Sequence, residues 1–289
     1  MDKQRTKVNP VGVLMRIKKI VLLLIAYIDI AAIVFLVITG YAADVFFFQA
    51  AHSEASVYSW YYMPRTDGIQ PTAEKDFEFV YDYDAYSAGS PEQKIIYLTF
   101  DAGYENGYTP KILDTLKAHG VPAAFFVVKH YIKSSPELVS RMIAEGHLVC
   151  NHSANHKDMA ALSDLDAFKK ELSDNEEALY EATGKNMPKY FRPPEGKFSE
   201  RSLKYAQQLG YTTVFWSFAY KDWYTSDQPD HESAFKTIIS RTHPGEIALL
   251  HATSKTNAEI LDRVLTEWES MGYTFKSLNY LCRTYDPAK

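Results

Sequence analysis

The amino-acid sequence predicts an α/β fold of parallel strands joined by helical crossovers, and three observations carry that reading. From Lys94 onward, short apolar runs alternate with segments whose apolar residues recur at helical spacing, the order of repeated strand–helix units. The runs are nearly continuous, as in strands covered on both faces. The helical segments carry start and stop residues: Pro136 opens one, and Gly146, Gly184, Gly210 and Gly272 close others. About seven such units in roughly 190 residues suit a barrel, complete or incomplete, better than a flat sheet, and periodicity leaves closure open.

The elements follow in order. The expected strands are Ile95–Phe100, Ala123–Val128, His147–His152, Tyr190–Arg192, Thr212–Ser217, Ile247–His251 and Tyr273–Leu278. Between them the expected helices are Pro110–Ala118, Pro136–Glu145, Asp164–Thr183, Ser199–Leu209, Glu232–Thr242 and Asn257–Ser270. Upstream, residues 44–93 show no period; Pro64, Gly68, Pro71 and the acidic-aromatic patch from Asp76 to Tyr86 suit a stalk or a wrap along the domain. The compact domain is expected over 94–289, starting near Gly89 to Lys94.

The N-terminus reads differently. Residues 1–19 are polar and basic (Lys3, Arg5, Lys7, Arg16, Lys18, Lys19), and Ile20–Ile38 is apolar except for Asp29. A spanning helix needs about 20 such residues. Asp29 costs about 2.5–3.5 kcal/mol on an insertion scale, and the surrounding Leu, Ile, Val and Phe offset it at roughly 0.3–0.6 kcal/mol each. The run exceeds the roughly 7–15-residue core of a signal peptide. We therefore expect an uncleaved single-pass membrane anchor over residues 20–43; Gly40, Ala42 and Ala43 would permit cleavage, and the chain would then be secreted. Basic residues before the run, and none between Lys19 and Arg65, put residues 1–19 in the cytoplasm and the rest outside the membrane.

Composition narrows the function classes. With 46% hydrophobic and 23% charged residues the chain is ordinary globular protein. A net charge of −5 gives no basic footprint, so nucleic acid is not an expected partner. Two cysteines make no disulfide framework, and Cys150, inside an apolar run, reads as a buried small hydrophobe.

Chemistry gathers where the runs end. Asp101 closes Ile95–Phe100; His152 and His156 follow the third run; Arg192 ends the fourth; Asp222 lies a few residues past Ser217; His251 closes Ile247–Leu250. The C-terminal mouth of a parallel strand array is where catalytic groups of such folds sit. Singly each has a plainer reading. Asp101 also suits a helix N-cap, and His251 a hydrogen-bonded core residue or a general acid/base. His152 and His156 share a face, and can share a metal, if their segment turns helically. Arg192, in Phe191-Arg-Pro-Pro-Glu-Gly196, is fixed by its neighbours and suits pairing with a carboxylate such as Asp101. Glu105, His119, His147 and Glu195 read as structural or surface groups.

These residues resemble those of the polysaccharide deacetylases of NodB-homology type, carbohydrate esterase family 4. The matching motifs are Thr99-Phe-Asp101-Ala-Gly103, His152-Ser-Ala-Asn-His156, Arg192-Pro-Pro-Glu-Gly196, Asp222-Trp223 and Leu249-Leu-His251, in the family's order across the whole domain. The extension Tyr104-Glu-Asn-Gly-Tyr-Thr109 is similar to the sporulation branch, the δ-lactam-biosynthetic de-N-acetylases. The resemblance implies a distorted (β/α)7 barrel and hydrolysis of the N-acetyl group of an amino sugar. By position Asp101 would be the general base, His251 the general acid, Arg192 the partner keeping Asp101 ionised, and Asp222 the residue orienting His251. A divalent metal, zinc or similar, held by His152 and His156, and a backbone N–H near Glu195 would hold the oxyanion. Trp223 would line the pocket for the acetyl methyl, and Tyr104 and Glu195 would line the substrate groove.

One departure stands out. The family's second consecutive aspartate, a metal ligand, is here Ala102, which leaves two protein ligands unless Asp101, water or substrate fills in; the sporulation branch deviates at this same position. Glu195 replaces a more usual aromatic or basic residue. The expected substrate is N-acetylmuramic acid in peptidoglycan glycan strands, on the route to muramic δ-lactam in spore cortex. The alternatives are N-acetylglucosamine or another glycan, and a non-catalytic glycan-binding module motivated by Ala102.

Overall fold

A computed structural model describes Phe35 and residues 56–287. The chain divides into Met1–Ser53 and Glu54–Lys289, and, Phe35 apart, the described residues belong to the second unit. The expected membrane segment, residues 20–43, lies outside the described residues but for Phe35; among those described, no helix is long and apolar enough to cross a membrane.

Two short strands, β1 (Tyr58–Ser59) and β2 (Ala85–Tyr86), flank a 3-10 segment, Lys75–Tyr83, anchored by buried Phe77 and Val80. The strand–helix units follow: β3 (Ile95–Ala102), α1 (Thr109–His119), β4 (Ala123–Val127), α2 (Lys129–Ser134), α3 (Pro136–Ala144), β5 (Leu148–Asn151), α4 (Leu165–Thr183), β6 (Tyr190–Phe191), β7 (Lys197–Phe198), α5 (Glu200–Gln208), β8 (Thr212–Val214), α6 (His231–Arg241), β9 (Glu246–His251), α7 (Lys255–Ser270), β10 (Thr274–Phe275) and α8 (Leu278–Thr284). Sheet order is β10-β3-β4-β5-β6-β8-β2, with β9 also paired to β3 and every pairing parallel. The sheet curls into a half-barrel with helices outside. Beyond β8 the chain reaches β9, where Ser217 and Phe218 donate to the Ile247 carbonyl at 3.1 and 3.2 Å and Leu249 donates to the Phe218 carbonyl at 2.8 Å.

β3 organises the core because all eight of its residues are buried. Its two-residue period sends Ile96, Leu98, Phe100 and Ala102 toward the apolar cluster under α1, α6 and α7. Ile95 and Tyr97 join the inner cluster with Phe126, Cys150, Val214 and Ile247. Thr99 and Asp101 continue that inner face, and Thr99 donates to the Ala248 carbonyl at 2.7 Å.

Several expectations are corrected. The domain begins before Lys94, because Ala85 and Tyr86 already pair with Thr213 and Val214. The run Thr212–Ser217 leaves the sheet after Val214, and the Val214 and Phe215 carbonyls turn to Arg192 instead. Tyr273–Leu278 is a strand only over Thr274–Phe275; Leu278 starts a helix whose Leu278 and Leu281 plug the inner cluster. Helix α2 is too short to show a period.

Candidate active site

Asp101 reaches the mouth of the curl beside its register partner in β9, His251. It caps no helix. One carboxylate oxygen, Oδ1, accepts from Arg192 Nη1 at 2.8 Å. The first turn of α1 is capped instead by Glu105, whose Oε1 accepts from the Gly107 and Thr109 amides at 2.6 and 3.3 Å. Burial would raise the Asp101 carboxyl, but the charges of Arg192, His152 and His251 outweigh it and hold Asp101 below the usual carboxylate range. Arg192 is fully buried, with Nε and Nη2 donating to the Val214 and Phe215 carbonyls at 3.0 and 3.2 Å. Its guanidinium lies 4.2 Å from the centre of the Phe126 ring. The expected Arg192–Asp101 pair is therefore present and rigid.

The two histidines also come together, by a route the spacing did not predict. The segment after β5 is not helical; Ser153 and His156 adopt φ of 65° and 52°, and the imidazole centres lie 5.0 Å apart. Polar residues on the inner stripe of α4 hold this loop. Asn175 donates to the Val127 carbonyl at 2.7 Å and to Asn151 Oδ1 at 3.0 Å, and Glu171 accepts from the Asn155 amide and side chain at 3.0 and 2.9 Å. His152 Nδ1 donates to the Arg192 carbonyl at 2.8 Å, which turns Nε2 toward Asp101 Oδ2 at 3.5 Å. Burial, opposed by Asp101, pushes the His152 imidazole down to about 4, so it is neutral at pH 7.

Opposite, His251 Nδ1–H donates to Asp222 Oδ1 at 2.7 Å, and the His251 amide donates to Oδ2 at 2.8 Å. Asn257 Nδ2 donates to the same Oδ2 at 2.6 Å, and Asn257 Oδ1 accepts from the Tyr220 hydroxyl. Burial would lower the His251 imidazole, but the Asp222 charge and hydrogen bond raise it above its ordinary value. The ring stays partly open, 23% exposed at the side chain.

The walls complete the cleft. Trp223, 45% exposed, stands with its ring 5.7 Å from that of His251. Glu195 adopts φ of 57° and Gly196 φ of 66°, a left-handed pair that costs about 1–3 kcal/mol at the non-glycine position. The wrapping segment supports it: the Trp60 amide donates to the Gly196 carbonyl at 2.9 Å, Trp60 Nε1 donates to the Trp216 carbonyl at 2.9 Å, and a Cβ on Gly196 would meet Trp216 at 2.6 Å. The Glu195 carboxylate turns to Lys197 Nζ at 2.8 Å, which offsets its charge in the groove. Tyr104 is exposed beside a cavity of about 690 Å³, and its loop is tied to the end of β9 by Asn106 Nδ2 donating to the Thr253 carbonyl at 3.1 Å.

A buried, ionised carboxylate beside a partly exposed, cation-favouring imidazole is an acid–base pair for hydrolysis. Comparison with known proteins identifies its setting. Residues 88–214 match the family model for polysaccharide deacetylase. The chain is 45% identical to the peptidoglycan-N-acetylmuramic acid deacetylase PdaA of Bacillus subtilis over 224 residues, 77% of this chain and 85% of that protein. The chain belongs to the polysaccharide deacetylase family. It is 30% identical to the peptidoglycan-N-acetylglucosamine deacetylase of Bacillus cereus over 77% of this chain and 82% of that one. The solved structure of Bacillus subtilis PdaA, a family 4 carbohydrate esterase, superposes with a TM-score of 0.76 at 44% identity, covering 78% of this chain and 97% of that one. This polysaccharide deacetylase is thus a hydrolase.

Among the deacetylase's described residues, no three His, Cys, Asp or Glu side chains converge to hold a metal. Ala102 offers no donor and belongs to the apolar cluster on the helical side of β3, whereas Asp101 is on the inner face. A two-histidine site does fit. His152 is neutral, its Nδ1 is committed to a carbonyl as in metal-ligating histidines, and its Nε2 lone pair confronts Asp101 Oδ2 with no proton between two acceptors. A cation held by His152 Nε2 and the adjacent His156 would relieve that contact.

The residues that sequence reading passed over are Asn257, Tyr220, Asn175 and Glu171. Three of them were marked. Asn257 falls on the apolar stripe of α7 with Leu261, Val264 and Trp268, and Glu171 and Asn175 fall on that of α4 with Phe168, Leu172 and Leu179. A polar side chain on a buried stripe needs a partner, and here the partners are Asp222 for Asn257 and, for Asn175 and Glu171, residues flanking His152 and His156.

Proposed function

We propose that this deacetylase acts on peptidoglycan, hydrolysing the acetamide of N-acetylmuramic acid residues on the route to muramic δ-lactam. The observation that carries the proposal is the opposed pair, Asp101 held ionised by Arg192 and His251 held protonatable by Asp222, on neighbouring strands. The 45% identity to a peptidoglycan-N-acetylmuramic acid deacetylase and the Tyr104–Thr109 extension support the choice of sugar. Residues 20–43 support a membrane anchor with the catalytic domain outside the cytoplasm, where peptidoglycan lies.

Asp101 takes a proton from a water as its oxygen bonds to the acetamide carbon. The oxyanion that forms is assigned to the backbone N–H of Glu195, which lies in the left-handed turn. His251, with Nδ1–H committed to Asp222, gives its Nε2 proton to the departing nitrogen as the C–N bond breaks. Acetate and a free amino sugar result. A divalent metal held by His152 and His156 would supply Lewis-acid polarisation of the carbonyl oxygen. Trp223 shields His251 and offers a face to the acetyl methyl.

The test is incubation of the protein with peptidoglycan stripped of stem peptides, followed by muramidase digestion and mass spectrometry. Muramoyl residues lighter by one acetyl group are expected. Loss of acetyl from glucosamine alone would assign the other sugar, and loss from neither would overturn the proposal.

A further inference from the structure

The cavity of about 690 Å³ is lined by Gly103 and Tyr104, which follow Asp101 in the chain, by His156, and by Lys129, His130 and Lys133. No Asp or Glu lines it, although the chain as a whole carries a net charge of −5. Lys129 and Lys133, four residues apart on α2, stand on one face of that helix. Lys129 has an incomplete partner: its Nζ is 3.4 Å from Asp174 Oδ2, while Lys170 lies nearer that carboxylate at 2.9 Å. Among the described residues no carboxylate reaches Lys133 or His130. Their placement is fixed by what lies beneath. Tyr131 and Ile132 are fully buried, the Tyr131 hydroxyl donates to Glu105 Oε2 and hydrogen-bonds the Thr109 hydroxyl at 3.1 Å each, and the Lys129 amide donates to the Ala154 carbonyl at 3.3 Å. The basic wall is thus built onto the segment that follows Asp101 and β3 and onto the loop that carries His156.

We propose that this cavity is a carboxylate subsite, in which Lys133, with Lys129 and His130, holds an acidic substituent of the glycan while an acetamide occupies the cleft at Asp101 and His251. The inference deepens the reading of peptidoglycan as substrate and rests on it. Of the two amino sugars in that polymer, only the muramoyl residue bears a carboxylate, on the lactyl ether at O3, next to the carbon that carries the acetamide. An N-acetylglucosamine polymer has no group for this wall. Stem-peptide carboxylates are the other source of the same chemistry. A lysine–carboxylate contact in a half-enclosed cavity is charge-assisted and worth roughly tenfold in affinity. It weakens with added salt.

The test uses Lys133→Gln and Lys133→Glu in the full chain, with thermal unfolding as the check on folding. Acetate release is measured on three substrates: glycan strands stripped of stem peptides, strands with their peptides, and a chitooligosaccharide. The expected result is a ratio of kcat/KM, stripped strands over chitooligosaccharide, that falls roughly tenfold in Lys133→Gln and further in Lys133→Glu, through KM. A loss confined to stripped strands assigns the lactyl carboxylate, and a loss confined to peptide-bearing strands assigns the peptide. Unchanged ratios to the chitooligosaccharide for both stripped and peptide-bearing strands, in both variants and with wild-type protein active on stripped strands, overturn the subsite and leave the substrate reading intact. Wild-type activity on the chitooligosaccharide alone overturns both. Binding of stripped strands to Asp101→Asn protein, with and without Lys133→Gln, gives the same decision without turnover: equal affinity is the contrary result.

Discussion

Replacing Asp222 with Asn probes the acid half of the site. Three donors converge on the Asp222 carboxylate: His251 Nδ1 at 2.7 Å, the His251 amide at 2.8 Å and Asn257 Nδ2 at 2.6 Å. A carboxylate accepts all three, but an amide offers one oxygen, so at least one donor would face an NH2 group. Leaving a buried donor unpaired costs about 1–3 kcal/mol. The electrostatic effect is larger. A facing carboxylate shifts an imidazole by about 1–3 pH units, or about 1.4–4 kcal/mol. The His251 imidazole lies above its ordinary 6.5 because burial, which lowers it, is outweighed by Asp222. With Asn the burial effect is no longer offset by that charge. His251 acts as an acid only while protonated, and a raised group stays protonated until the pH passes its folded value. The alkaline limb of kcat/KM should therefore move down by about 1–3 pH units, with activity above it reduced about 10- to 1000-fold. The acid limb, set by Asp101, should stay. The assay is the pH profile of acetate release beside thermal unfolding of both proteins. An alkaline limb that does not move in a folded variant would refute the pairing argument.

Other consequences follow from the same geometry. Asn257→Ala removes the bond to Asp222 and the acceptor of the Tyr220 hydroxyl; kcat should fall about tenfold with KM held and the alkaline limb lowered, and a fall in Tm alone would make Asn257 merely structural. Glu246 is fully buried, its Oε1 has no hydrogen-bond partner, and burial raises its carboxyl well above 4.5. The unfolded chain ionises there first, so stability is full below that pH and declines by about 1.4 kcal/mol per unit as pH rises toward the folded value. Glu246→Gln should raise Tm at neutral pH and leave it unchanged under acid, and equal Tm values at both would contradict the burial argument. His156→Ala should weaken zinc binding, measured by equilibrium dialysis and metal analysis, by roughly 100-fold or more; unchanged metal content would remove His156 from the site.

Much of the site was legible because its residues fall at strand ends, and strand ends are marked by where apolar runs stop. Asp101, Arg192 and His251 were placed this way, and the Arg192–Asp101 pair followed from the prolines that fix Arg192. What was not legible depended on departures from regularity. The sheet breaks after Val214 because Arg192 takes the carbonyls there, and no pattern in Thr212–Ser217 announces it. The histidine pair looked like one helical turn but is made by two left-handed residues, braced by α4 from outside the motif. Ala102 read as a missing ligand; its neighbours place it on the face opposite Asp101, among apolar side chains. The Ala85–Tyr86 strand was hidden by its two-residue length.

The central claim is that water, activated at Asp101 and followed by protonation from His251, cleaves an acetamide. Hydrolysis of stripped glycan strands in ¹⁸O-labelled water, with acetate analysed by mass spectrometry for wild type, Asp101→Asn and His251→Ala, tests it directly. Acetate carrying one labelled oxygen is expected from the wild type, with turnover lower by roughly 1000-fold or more in each folded variant. Wild-type rates from Asp101→Asn, or unlabelled acetate, would contradict it.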